Sequence, residues 1–311
     1  MTTLPRLVAR GAALVRTRLA VVLALYAVQL GVALIFTVAV ALALGSRYAG
    51  RPLFARGVGG DAAALLLALQ AHGDLVEALS CAGVALLGGW ALVSLYLAAG
   101  LLGSLAGRGF AATAAARFGG FVRLALWSLL PLLLVAGLAA GGIYLVDPAA
   151  ADLVAWDTML GRPLLGLAPA ALLLAITFCA IDLARAQLVL AGGGSGRALA
   201  RGVKLALTRP VLLAHYLLYV LAWLAVSALF VAATYGRPFA GAAGAWLLFF
   251  MRQVTALARF LARAVTSAGQ LAALQLDVVE VGQVVERAEA RRDVVQGEVA
   301  QPVQREALDG E

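Results

Sequence analysis

The sequence predicts an all-α polytopic membrane protein with six transmembrane helices, arranged as three hairpins that are each preceded by a basic interfacial helix. Three observations predict it. The 311 residues are 63% hydrophobic and only 13% charged, against about 45–50% and about 25% in soluble domains, and the mean hydropathy is +0.97. Six runs, 19–44, 78–103, 121–146, 165–190, 211–234 and 240–262, are almost free of charge and long enough to cross a bilayer core, which takes about 20 residues. A basic segment leading into an apolar run recurs three times, so the chain carries an internal repeat.

The chain opens with Arg6, Arg10, Arg16 and Arg18. The apolar stretch behind them, Leu19 to Leu44, exceeds the roughly 7–15 residues of a cleavable signal core, so it is expected to stay as the first span. In the loop that follows, Gly59-Gly60-Asp61 and AAALLLALQ read as a capped surface helix. Gly73-Asp74 restarts the chain into the second span. Arg108, Arg117 and Arg123 mark the second basic segment, and the third span contains Pro131, which should kink it. Asp147, Asp152 and Asp157 outnumber Arg162 in the next loop. The fourth span ends in Asp182 and Arg185. The third basic segment then carries Arg197, Arg201, Lys204 and Arg209. Gly103/Gly107 and Gly137/Gly141 have the spacing that lets helices approach closely.

RLVARGAALVRTRLAVVLALYAVQL from Arg6, GFAATAAARFGGFVRLALWSLLPLLL from Gly109 and GRALARGVKLALTRPVLLAHYLLYVL from Gly196 share one plan: a short basic amphipathic helix, a break, then a span. The expected breaks are Arg16-Thr17-Arg18, Arg123 and Arg209-Pro210. All three basic segments fall on one side, which the positive-inside rule assigns to the cytoplasm, with both termini there. Residues 1–276 form the six-helix domain and carry +13. Residues 277–311 carry −5 and read as an acidic, partly disordered cytoplasmic tail that offers a segment to a cytosolic or membrane partner. Arg6, Arg10, Arg16, Arg18, Arg117, Arg123, Arg197, Arg201, Lys204 and Arg209 are the expected contacts with anionic lipid headgroups. With 23 Arg against one Lys and abundant Ala, Gly and Leu, the composition suggests a bacterial source, and hence the cytoplasmic (inner) membrane.

DLARAQLVLAGGGSGRALARGVKLALTRPVLLAHYLLYVL (182–221), followed by an arginine-bearing last span, resembles bacterial six-helix integral membrane proteins of unknown function. That group is similar in layout to the membrane-anchor region of glycerophosphodiester phosphodiesterases. The likeness covers 1–276 in layout and 180–270 in motif. It implies that the polar Asp-x-Ala-Arg end of the fourth span leads into a basic amphipathic helix. The soluble catalytic domain is absent, so the resemblance implies no phosphodiesterase activity and no catalytic residue.

Charged groups inside spans are functional candidates because desolvation is costly. Asp182 and Arg252 fall at similar expected depths, so an intramembrane pair Asp182–Arg252, joined by Gln253, is expected. Arg252, Thr255, Arg259, Arg263, Thr266 and Gln270 step by three or four and draw one polar stripe down a helix face. Arg259 and Arg263 fit the cytoplasmic exit of the last span. Cys81 and Cys179 read as small buried hydrophobes. No His/Cys/carboxylate spacing suits a metal, no cofactor is expected, and nothing points to nucleic acid. GGGSG at 192–196 lacks the strand and the Gly-Lys-Ser/Thr of a phosphate loop and reads as a turn. Lacking paired carboxylates or a nucleophile–base pair, the chain is expected to be non-catalytic: a scaffold or membrane-organising factor. The alternative is a transporter or permease for a small or lipidic molecule, with a polar cavity at Arg252 and Asp182.

Overall fold

The computed structural model describes residues 3–48, 73–146, 162–235, 243–244 and 246–276, and every regular element among them is α-helical. In chain order these are α1 (Leu4–Thr17), α2 (Leu19–Tyr48), α3 (Gly73–Leu105), α4 (Phe110–Val146), α5 (Arg162–Leu190), α6 (Ser195–Thr208), α7 (Pro210–Thr234) and α8 (246–276). The expected surface helix after Asp61, the acidic loop at 147–161 and the tail at 277–311 lie outside the described residues. Among the described residues, α3, α4, α5 and α7 are long and apolar enough to cross a membrane, and α1 with the first half of α2 makes a fifth if that bent pair counts as one span.

The junction between α1 and α2 bends by 78°. At its apex the Thr17 hydroxyl donates to the Leu14 carbonyl at 2.8 Å, the kind of local bond that competes with the helix ladder. The α6–α7 junction breaks at Arg209-Pro210. Proline has no N–H to continue α6, and it pushes Arg209 out of helical backbone (φ −120°, ψ 83°). The second repeat differs. No break occurs at Arg123: α4 runs unbroken from Phe110 to Val146 and continues through Pro131. No proline adjoins Arg123, so the backbone ladder continues past it and the basic segment is simply the first turns of the long helix.

The three basic segments each settle on another helix through small residues. A Cβ on Gly11 of α1 would stand 2.3 Å from the Val265 carbonyl and 3.0 Å from the Gly269 nitrogen of α8. A Cβ on Gly202 of α6 would stand 2.3 Å from the Ala180 carbonyl of α5. The two glycines hold the same place in the repeat, within Ala9-Arg10-Gly11 and Ala200-Arg201-Gly202. At the start of α4 the roles reverse: Phe110 and Thr113 fill the space over Gly100 and Gly103 of α3. Such backbone approach is how helices associate in lipid, where burial of apolar surface supplies no drive. Gly107, by contrast, turns the chain (φ +80°), and Gly137 and Gly141 are exposed with nothing near them. Of the two GxxxG pairs, only Gly103 serves close packing.

This end also holds the buried core. Leu7, Val15, Leu183, Leu212 and Leu271 form one cluster, and Phe121, Leu124, Val189 and Ala198 another. The turn at 191–194 is stitched to both neighbours. Gly192 and Gly193 adopt left-handed backbone (φ +70° and +92°), which glycine alone takes without cost. Arg108 donates to the terminal carbonyls of Val189 and Leu190, satisfying orphan acceptors at a helix end. Ser195 donates to the Gly120 carbonyl at 2.9 Å. Away from the basic end Ile35, Val84, Leu87, Leu133 and Leu229 are each about two-thirds exposed, a surface that suits hydrocarbon and not water.

Candidate functional site

Asp182 sits two turns before the end of α5 with its side chain buried. Its Oδ1 accepts from Arg263 Nη2 of α8 and from Arg185 Nη1, one turn along α5, at 3.5 Å. Its Oδ2 has no hydrogen-bond partner. The expected pair with Arg252 does not form. Arg252 and Arg263 are eleven residues apart, about 16 Å along a helix, and α8 stays helical to residue 276. Counting depth from residue 240 therefore set Arg252 too deep, and the place beside Asp182 falls to Arg263. Arg252 is exposed. Gln253 does not join Asp182 either: its backbone carbonyl and Oε1 both lie 2.9 Å from the Tyr26 hydroxyl, which ties α8 to α2.

The polar stripe on α8 is real as a helix face, but it changes character along its length. Arg252 is exposed, Thr255, Arg259 and Arg263 are half-buried, and Thr266 and Gln270 are buried. Thr255 and Thr266 satisfy their hydroxyls on the carbonyls one turn back, those of Met251 and Ala262. Opposite the arginines, α7 presents a matching stripe. Arg263 lies 5.2 Å from the Tyr219 ring centre and 5.8 Å from that of Tyr216. Arg259 stacks 4.9 Å over Trp223 and donates to Ser227, which in turn donates to the Trp223 carbonyl. Aromatic faces attract the desolvated guanidinium groups, so both half-buried cations rest on aromatic rings, Arg263 paired with Asp182 and Arg259 bonded to Ser227, and are not simply an interfacial flag. Tyr216, Tyr219, Trp223 and Ser227 were not anticipated, although their three- and four-residue steps on one face could have disclosed them.

Two cavities adjoin the Asp182 cluster between α2, α3 and α8. One, of about 230 Å³, is lined by Asp182, Arg185, Arg263 and the polar Gln29, Ser94 and Ser267, among apolar neighbours. The other, of about 530 Å³, is apolar and is lined by Tyr26, Leu30, Ala33, Leu87, Trp90 and Gln253 among others. Gln29 belongs to both walls, so a charged cavity lies beside an apolar slot. A slot of that size lies within the about 300–1,000 Å³ typical of small-molecule sites.

Behind the cluster is a second buried polar group. The Cys179 thiol donates to the Leu212 carbonyl at 3.8 Å, and Gln270 Nε2 donates to Cys179 Sγ at 3.9 Å. His215, 2% exposed, packs on Gly269, where a Cβ would stand 2.4 Å from its ring. Cys179 is buried, as a small core residue should be; the side chain of Cys81 lies outside the described set. Among the described residues no group of three or more His, Cys, Asp or Glu is placed to hold a metal ion. Of the ten basic residues expected at headgroups, all are exposed except Arg117, whose guanidinium packs over Gly192.

No protein-family model matches the chain, and neither a curated protein nor a solved structure matches it significantly.

Proposed function

We propose that the chain is a non-catalytic, multi-pass protein of a bacterial cytoplasmic membrane that binds a lipidic molecule in the lateral groove between α2, α3 and α8, as a carrier or transporter does. One observation carries the reading: the charged cavity at Asp182 and the apolar slot at Trp90 share a wall at Gln29, as an amphiphile's head and tail require. In this account α2, α3, α4, α5, α7 and α8 are six spans in three hairpins, with both termini and the basic segments in the cytoplasm. The layout shared with membrane-anchor regions fits such a bundle. The groove then belongs to the cytoplasmic leaflet, with its polar end at headgroup level.

A second reading, a scaffold or membrane-organising factor, is favoured by the exposed arginines of α1 and α6. Each basic residue near an anionic surface contributes about 1 kcal/mol of attraction, and the acidic tail would engage a cytosolic or membrane partner. Mild-detergent purification followed by native mass spectrometry separates the two. Gly83 lines the slot and faces open space, so Gly83→Phe fills the groove without a clash. Lipid binding predicts a retained lipid in the unaltered protein and its loss in Gly83→Phe. A scaffold predicts equal lipid in both and a co-purifying protein.

A further inference from the structure

We infer that the groove selects an anionic phospholipid of the cytoplasmic leaflet whose headgroup also carries a hydroxyl donor, a polyol phosphodiester, with the phosphate on Arg185 and Arg263 and the hydroxyl on Asp182. The inference rests on the reading that the slot at Trp90 holds a lipid tail, and adds the headgroup.

Charge comes first. Among the described residues, Asp182, Arg185 and Arg263 are the only charged ones on the wall of the polar cavity, and together they leave one positive charge. A net charge at the edge of hydrocarbon is costly unless it is paired. A phosphodiester supplies a single negative charge and brings the site to neutrality, whereas a zwitterionic headgroup leaves the excess in place. The arginines keep donors to serve it. Each keeps about 30% of its side chain exposed and gives one nitrogen to Asp182 Oδ1, and the Tyr216 and Tyr219 rings beside Arg263 cover its face; a guanidinium offers five donors in a fork that suits phosphate oxygens.

Asp182 sets the second requirement. Its side chain is 5% exposed, yet Oδ2 has no partner, and a buried carboxylate oxygen without a donor is expensive. Neither arginine fills it, and Ser94, Ser267 and Gln29 on the same wall do not reach it. A hydroxyl on the headgroup satisfies that oxygen without adding positive charge, which an ammonium would do.

Direction supplies the third argument. From the polar cavity the walls continue along α2 from Leu25 to Ala33 and back along α3 from Leu102 to Gly83. The eight steps along α2 span about 12 Å. A headgroup beside Asp182 therefore puts its chain in the slot, within one leaflet.

The test is lipid competition on the purified full chain, read by native mass spectrometry. Three probes of identical acyl chains are used: phosphatidylglycerol (anion plus hydroxyls), phosphatidylmethanol (anion without a donor) and phosphatidylethanolamine (zwitterion). Phosphatidylglycerol should outcompete each of the others about tenfold, equivalent to about 1.4 kcal/mol. Arg185→Gln should abolish the preference over the zwitterion, and Arg185→Lys should keep most of it. Asp182→Asn should reduce the preference over phosphatidylmethanol; should that variant not fold, the Arg185 pair still decides. Equal retention of all three lipids overturns the headgroup assignment but leaves the groove as a lipid site. No retained lipid, or retention unchanged in Gly83→Phe, sinks the groove reading itself. Displacement of the lipid by millimolar glycerol 3-phosphate would assign the polar cavity to a soluble phosphate ester and overturn the lipid as occupant.

Discussion

At the basic end of the bundle, Gly11 lies against the backbone of Val265 and Gly202 against that of Ala180. Toward the other end Gly31, Gly83, Gly88, Gly89, Gly137 and Gly141 touch nothing within 4 Å. Gly107, Gly119, Gly193 and Gly194 at the basic end are open as well, but every described glycine in close contact with a neighbouring helix lies at that end. Buried side chains follow the same division: Leu7, Cys179, Leu183 and Leu271 are 0% exposed, while Leu87, Leu133 and Leu229 are close to 70%. The chain thus spends its close packing where α1, α6 and the first turns of α4 lie against other helices, and leaves its outer faces apolar and exposed. The contrast teaches where specificity can reside. The apolar slot lies between loosely associated stretches of helix, and its wall meets fixed charge only toward the packed end, where Gln29 also lines the cavity of Asp182.

The sharpest way to break this comparison is to overfill both ends. Gly202→Leu drives a side chain into the α5 backbone and should cost about 3 kcal/mol or more, the upper range for overpacking, seen as loss of monodisperse protein on size-exclusion chromatography. Gly137→Leu should leave the elution profile unchanged. Equal damage at both sites would mean that the outer face is packed after all.

Next in size is the ion pair. Asp182→Asn leaves Arg263 without its counter-charge. Breaking a buried pair costs about 3–5 kcal/mol, and the partial exposure of Arg263 places this case at about 2–3 kcal/mol. The double exchange Asp182→Arg with Arg263→Asp should recover part of the thermal stability lost by either single change, whereas Asp182→Arg with Arg252→Asp should recover none. Rescue through Arg252 would restore the pairing expected from the sequence and contradict the geometry.

Smaller effects sharpen the boundary between the ends. Tyr26→Phe removes the hydroxyl that joins α2 to Gln253 and should lower stability by about 0.5–1.5 kcal/mol. Arg252→Gln, on an exposed side chain, should change the melting temperature by an amount equivalent to no more than about 0.5 kcal/mol.

Much of the fold was legible in the sequence because lipid imposes simple rules. A chain this apolar must be helical, since every backbone group needs an internal partner, and the amphipathic α1 and α6 stood out by their charge. The missing break in α4 was not legible: Arg123 resembles Arg18 and Arg209 in type, and the difference lies in the chain around it, since Pro210 follows Arg209 and no proline adjoins Arg123. Within the site, Asp182 was recognisable as a charge inside a span. Its partner was not, because choosing between Arg252 and Arg263 requires the register of α8 against α5, and one span boundary misplaced by a few residues shifts it by several ångströms. The aromatic stripe on α7 carried a usable signal, since Tyr216, Tyr219 and Trp223 run antiparallel to Arg263 and Arg259.

The most direct test of the account is fluorescence from a variant retaining Trp90 as its sole tryptophan, the other four replaced by Phe, titrated with chain-brominated phosphatidylglycerol. A tail held in the slot predicts saturable quenching that Gly83→Phe abolishes. Quenching that rises without saturation, identically in Gly83→Phe, would show only the lipid that surrounds any membrane helix and would contradict the groove.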